Sequence, residues 1–288
     1  MIPGFTLDLE LAGLPPFRLE SDDRRWQEAL EPRYGTFMQK PAAKVTPAAV
    51  LRLRATSPPP DARALARFHA ESVSVERRGG RLTLSSSWCR LTLDRREDQS
   101  PAQMAVEVEG PLHRAAVDLA LRHLLTELLT DGLLLHGALL TDGARTFLCT
   151  GPSGCGKSTL AGLLPAAALC DELAVARRDS SGAWRAWSLP YWHGRPGSGE
   201  LAAVLLLSHG PECERRALEP AEALRQLASE VIWPAHDAAE SGRALALLGA
   251  LASEVPVASL AFRPEPRVWD LIAAAPRLAP SAIAGTAA

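Results

Sequence analysis

Nine consecutive residues, Gly151-Pro152-Ser153-Gly154-Cys155-Gly156-Lys157-Ser158-Thr159, fit G-x-x-x-x-G-K-[ST] at every fixed position. Each residue type has a use in holding a polyphosphate. The glycines let backbone N–H groups turn inward, Lys157 brings charge to the outer phosphates, and the Ser158 hydroxyl can ligate Mg²⁺. The loop opens a helix, whose first N–H groups and positive dipole end add to the cradle. Its ligand is therefore expected to be a polyphosphate with Mg²⁺. Residues 145–150 read as a short buried strand, and residues 157–164 as a helix start with Leu160, Leu163 and Leu164 on one face. A flexible Gly/Ser turn is the alternative, and the strand–loop–helix context argues against it.

Phosphoryl transfer also needs groups that orient or deprotonate an acceptor. Asp171-Glu172 follows the loop by one helix and ends the short apolar strand Ala168-Leu169-Cys170. In an open α/β sheet, ligands gather at the carboxyl ends of strands. The acidic pair is therefore expected to face the loop and, with Ser158, to reach the metal; a solvated acidic turn is the competing reading. His136 stands in the apolar run Leu133-Leu134-Leu135-His136-Gly137-Ala138. Taken alone it reads as a core histidine satisfied by backbone, and Gly137 beside it signals close backbone approach. Cys155 sits at the helix start beside Lys157, where a thiol pKa can fall; a tolerated small residue is the simpler reading.

The elements that must carry these residues divide the chain. With 31 basic and 33 acidic residues the net charge is −2, which gives no support for a nucleic-acid-binding surface. A 47% hydrophobic composition allows a packed core in one large domain or two ordinary ones. The five cysteines form no CxxC pair, so reduced thiols in a cytoplasmic protein are expected rather than disulfides or zinc. The N-terminus has no basic region followed by an apolar core, and no run of about 18 uncharged apolar residues appears, so neither a secretory signal nor a membrane span is expected.

Residues 1–110 read as a smaller, mainly antiparallel β domain. They include a short helix over 26–30, a break at Ser57-Pro58-Pro59-Pro60-Asp61, and a hairpin turning at Gly79-Gly80. Strands follow over 88–93 and 104–108. Nothing there looks catalytic, and Arg77, Arg78 and Arg81 fit a solvated turn or a partner contact. Residues 111–288 read as the α/β domain with the phosphate site. Val117, Leu121, Leu124, Leu125 and Leu128 form one helical face. Strands over 133–140, 145–150, 168–170, 184–189, 201–207 and 257–262 follow, with helices over 220–229 and 268–274. The Ala/Pro-rich end, 280–288, reads as frayed.

His136-Gly137, a hairpin turn, the phosphate loop, a helix and Leu169-Cys170-Asp171-Glu172-Leu173 together resemble the HPr kinase/phosphorylase family. His136 precedes Gly151 by 15 positions. The likeness is specific over 133–173, and looser at Pro190-Tyr191-Trp192-His193-Gly194, Val255-Pro256-Val257 and Trp269. It implies a P-loop kinase core related to phosphoenolpyruvate carboxykinase, and Mg²⁺- and ATP-dependent phosphorylation of a serine or threonine hydroxyl on a protein or peptide. It implies Lys157 at the outer phosphates, Ser158 on Mg²⁺, Asp171 as base, Glu172 supporting it or the metal, and His136 near the phosphates. It also implies a homo-oligomer. Two departures stand out. The second acid is Glu where bifunctional members carry Asp, and the family's downstream catalytic arginine segment has no match. Both argue against HPr itself as substrate and against the reverse reaction. Divergent members are associated with peptide modification, where a precursor-peptide serine is the acceptor.

Other functions remain open from the residues. A nucleotide-binding sensor or scaffold with little chemistry needs only the loop, and a small-molecule kinase needs only a different acceptor. An ATPase motor predicts a later apolar strand ending in Asp, but the strand over 201–207 ends in Ser208-His209.

Overall fold

The computed structural model describes residues 4–42, 44–70, 73–96, 103–191, 194–234 and 238–274. Trp192 and His193, and the tail at 280–288, lie outside them. The fold is mixed α/β with two sheets, and the chain divides into two compact units.

The first unit comprises Met1–Thr130, Trp187–Pro196 and Trp233–Gly242. Its strands are β1 (Phe5–Leu9), β2 (Phe17–Ser21), β3 (Met38–Gln39), β4 (Ala49–Ser57), β5 (Ser74–Arg78), β6 (Arg81–Ser85), β7 (Arg90–Arg96) and β8 (Gln103–Pro111). Helices α1 (Arg25–Tyr34), α2 (Ala62–Ala70) and α3 (Arg114–Leu128) complete it. The sheet order is β3-β1-β2-β4-β8-β7-β6-β5. The sheet is mainly antiparallel, but β2–β4 and β4–β8 are parallel. Parallel neighbours need a crossover rather than a hairpin, and α1, absent from the sequence reading beyond residue 30, lies in the first such connection.

Alternation explains the sheet's two faces. Ala49, Leu51 and Leu53 of β4 are buried, whereas Arg52 and Arg54 point out and pair with Glu107 and Glu109 opposite them on β8. The turn arginines are engaged within the unit: Arg77 with Glu127, Arg78 with Glu76, and Arg81 with Asp94. Helix α3 buries Val117, Leu121, Leu124 and Leu125, and it packs on β8. The unit therefore runs past residue 110.

The second unit comprises Asp131–Ala186, Gly197–Ile232 and Arg243–Ala288. Its strands, in chain order, are β9 (Gly132–Thr141), β10 (Arg145–Thr150), β11 (Ala168–Cys170), β12 (Leu173–Arg178), β13 (Trp184–Ser188), β14 (Ser198–His209), β15 (Glu214–Ala217) and β16 (Val257–Phe262). Its helices are α4 (Lys157–Leu163), α5 (Pro220–Leu227), α6 (Ala238–Glu254) and α7 (Val268–Ala273). β13 and α6 each cross a unit boundary. Strands β10, β9, β12, β13 and β14 are successive neighbours, and β10 also pairs with β14, so these five close into a barrel. β16 and β15 extend the sheet from β14.

β9 is buried at almost every position, as a strand covered on both faces must be. β10, β14 and β16 run parallel to one another. Their carboxyl ends therefore point to one edge of the sheet, with β14 and β16 running three residues past β10, and that edge carries the phosphate loop.

Candidate functional site

The loop leaves β10 at Thr150 and enters α4 at Lys157. The N–H of Cys155 donates to Pro152 O at 3.1 Å, closing a turn whose third residue, Gly154, has φ +83°. Gly156, at φ +104°, caps the helix. Both angles lie in the region that glycine alone adopts without strain. The first bond into the helix runs from Leu160 N–H to Gly156 O, so the N–H groups of Lys157, Ser158 and Thr159 have no acceptor within α4. Ser158 and Thr159 are exposed.

Each loop glycine meets a neighbouring strand end. A Cβ on Gly151 would stand 3.1 Å from Leu207 O, and one on Gly156 would stand 2.8 Å from Phe262 Cζ. The Gly154 carbonyl accepts from His209 Nε2 at 2.7 Å. Lys157 is buried inside the loop, its ammonium donating to Gly151 O at 2.5 Å and Pro152 O at 3.2 Å. Cys155 Sγ lies 3.8 Å from that ammonium. One strand residue back, burial pushes the Cys149 thiol far up, with Cys155 adding to the shift, so Cys149 is an inert core thiol. None of the five cysteines is joined in a disulfide.

The acidic pair reaches the loop by a route the open-sheet argument did not foresee. β11 and β12 both pair antiparallel with β9, and Asp171 and Glu172 form the kink between them. Register explains the kink. Ala168 and Cys170 lie opposite Leu140 and Leu139, and the ladder resumes with Leu173 opposite His136. At the kink, Gly137 N–H donates to Glu172 O at 2.9 Å. On its other edge Gly137 lies opposite Thr150, the residue before the loop. One glycine thus separates the loop from the acids, two strand spacings apart, about 10 Å. Asp171 is buried and Glu172 half-buried.

His136 lies next to that glycine, with its main chain held from both sides. Its N–H donates to Glu230 O at 2.8 Å, and its carbonyl accepts from Thr150 Oγ1. Residues 230–232 form a short extra pairing along β9, with Val231 bridging Leu135 and Ile232 N–H on Leu134 O. β9 therefore changes partner at 136–137 on both edges: from β10 to 230–232 on one, and from β11 to β12 on the other. The His136 imidazole is 38% exposed at its side chain, and its Nδ1 lies 3.9 Å from the buried Glu230 carboxylate.

Lys157, Ser158, His136, Asp171 and Glu172 thus converge on one edge of the second unit. The sequence reading missed Glu230, which belongs to no motif, and His209, noted there only for not being an acid. Beyond Phe262, Arg263 and Arg267 both pair with Glu265. The left-handed glycines, the unshared helix N–H groups, the Lys157 ammonium and the exposed Ser158 hydroxyl fit a polyphosphate. Among the described residues, no group of three or more His, Cys, Asp or Glu side chains is arranged to hold a metal ion, and no helix is long and apolar enough to cross a membrane. No protein-family model matches the chain, and no curated protein matches it in sequence.

Proposed function

We propose that this chain is a Mg²⁺- and ATP-dependent kinase that phosphorylates a serine or threonine hydroxyl on a peptide or protein, with a P-loop core of the HPr kinase type. The observation that carries the reading is the place of Gly137, with the loop's first residues on one edge and the Asp171-Glu172 kink on the other. A nucleotide-binding module needs the loop alone. A buried carboxylate about two strand spacings away is an added feature that phosphoryl transfer uses.

Bound Mg-ATP would supply the transferable phosphoryl group and the cation that neutralises it. The loop amides and Lys157 would hold the polyphosphate, and the Ser158 hydroxyl would face the cation. Asp171 would accept the proton of the acceptor hydroxyl as the oxygen attacks, with Glu172 beside it. His136, fixed through both its N–H and its carbonyl, would lend its imidazole to the phosphates. The strand next to β10 ends in His209 rather than a carboxylate, which disfavours an ATPase motor whose metal is held from that position.

The test is to incubate the protein with γ-labelled Mg-ATP and serine-containing peptides and to follow label by mass spectrometry. Transfer to a peptide hydroxyl that disappears in Asp171→Asn supports the kinase. Binding of ATP with no transfer to any acceptor leaves a nucleotide-binding module.

A further inference from the structure

We propose that His209 is a positioning residue for the phosphate loop: it pins the carbonyl of Gly154 and so holds the Pro152–Cys155 turn in its nucleotide-binding shape. The inference rests on the nucleotide-binding reading above. His209 ends β14, the parallel neighbour of β10, and its Nε2 lies 2.7 Å from Gly154 O. A carbonyl oxygen only accepts, so Nε2 carries a proton and donates. The ring stacks on Phe262 with centroids 6.4 Å apart and planes 28° from parallel. Phe262 is buried, ends β16 opposite His209, and stands directly against Gly156. Two adjacent strand ends thus present one aromatic pair to two of the loop's glycines.

The pin acts where the loop is weakest. Gly154 takes the left-handed angle that makes the turn, and without a Cβ little opposes rotation of the peptide that follows it. A donor on its carbonyl opposes that rotation directly. His209 is exposed, so this hydrogen bond adds little to the core and acts on the loop. A loop already held in its bound shape loses less freedom when it takes up nucleotide.

The test uses the full chain with Mg-ATP, titrated calorimetrically, alongside thermal unfolding without nucleotide. His209→Ala is expected to bind about fivefold to tenfold more weakly, the loss of one hydrogen bond, with an unchanged unfolding midpoint. His209→Gln, whose amide can donate to the same carbonyl, is expected to recover most of the affinity. Wild-type affinity in His209→Ala, or equal weakness in both variants, overturns the proposal. Hydrogen exchange at the Cys155 amide reads the turn without nucleotide, so failure of the nucleotide reading is distinguished from failure of the pin. That exchange should run about fivefold to tenfold faster in His209→Ala, and an unchanged rate overturns the pin whether or not Mg-ATP binds.

Discussion

Replacing Gly137 with alanine tests the geometry that joins fold to site. The added Cβ would stand 2.9 Å from Leu148 Cδ1, 3.0 Å from Cys149 O and 3.4 Å from Thr150 Cβ. Leu148 and Cys149 are fully buried, and the second contact is with backbone, so rotating one side chain does not relieve it. The β9–β10 ladder must open by a few tenths of an ångström. Overpacking of this kind costs about 1–3 kcal/mol, and each kcal/mol lowers the midpoint by roughly 2–4 °C for a domain of this size. The displaced strand is β10, which feeds Thr150 into the loop, so Mg-ATP binding should weaken as well. Gly249→Ala is the matched control. It lies inside α6 with nothing within 4 Å of the new Cβ, and it should stabilise by roughly 0.5–1 kcal/mol without touching the loop. Scanning calorimetry and ATP titration of both variants decide the matter. If Gly137→Ala unfolds and binds as the wild type does, the close approach of β9 to the loop strand is refuted.

Lys157→Ala removes the ammonium from inside the loop; Mg-ATP at about 100 times Kd should stabilise the wild type by about 2.7 kcal/mol and the variant far less. Thermal shifts with and without nucleotide check this, and equal shifts would remove Lys157 from the site. Asp171→Asn should keep ATP binding and lower phosphoryl transfer about 10²–10⁴-fold, because the amide cannot take the acceptor's proton. A wild-type rate in labelled-ATP assays would clear Asp171 of the role of base. In the first unit, burial and, to a lesser degree, the Arg122 guanidinium push His123 down to about 4. A folded value below the unfolded one means that the unfolded chain binds the extra proton. The stability held by neutral His123 is thus complete above about pH 6.5, the unfolded value, and is lost as pH falls toward 4. Denaturant unfolding across that window should show a loss on the order of 2–3 kcal/mol in the wild type, flattened in His123→Gln; identical pH profiles would refute the assignment.

Much of the site was legible because its signals are local. The loop, the strand before it, the helix after it and the acids one helix later are all consecutive in the chain, and hydrophobic period and residue type carry that order. His136-Gly137 was legible for the same reason, since a histidine and a glycine interrupt an apolar run. The first unit was less legible. β1 and β2 do not figure in the sequence reading, and neither does β4 although it alternates cleanly, because its parallel pairing with β2 across α1 leaves no hairpin turn to announce it. Helix α6 buries Ala244, Leu248, Leu251 and Ala252 at helical spacing, a readable pattern diluted by the surrounding alanines. A domain boundary at 110 follows from the change from alternating strands to a helical period, yet residues 187–196 and 233–242 return to the first unit. A cut at 110 would therefore strip the first unit of its sheet without freeing the second.

What local patterns do not carry is lateral neighbourhood. Glu230 reaches His136 only because three residues after α5 take the part of β9's edge that β10 leaves uncovered. His209 and Phe262 reach the loop only because β14 and β16 run parallel to β10 and continue three residues past its last residue, Thr150. Neither relation has a spacing in the sequence, since His209 and Phe262 lie 58 and 111 positions after Gly151, at the ends of ordinary apolar strands, and Glu230 lies 94 positions after His136. The acids show the point from the other side. Their strand reads as ending at Asp171-Glu172, but that end is a kink: the ladder along β9 resumes at Leu173, and the register lost between Cys170 and Leu173 leaves the Glu172 carbonyl on the Gly137 N–H. The motif thus identifies the phosphate cradle, whereas the changes of partner along β9 and the run of β14 and β16 past the end of β10 determine which side chains surround it.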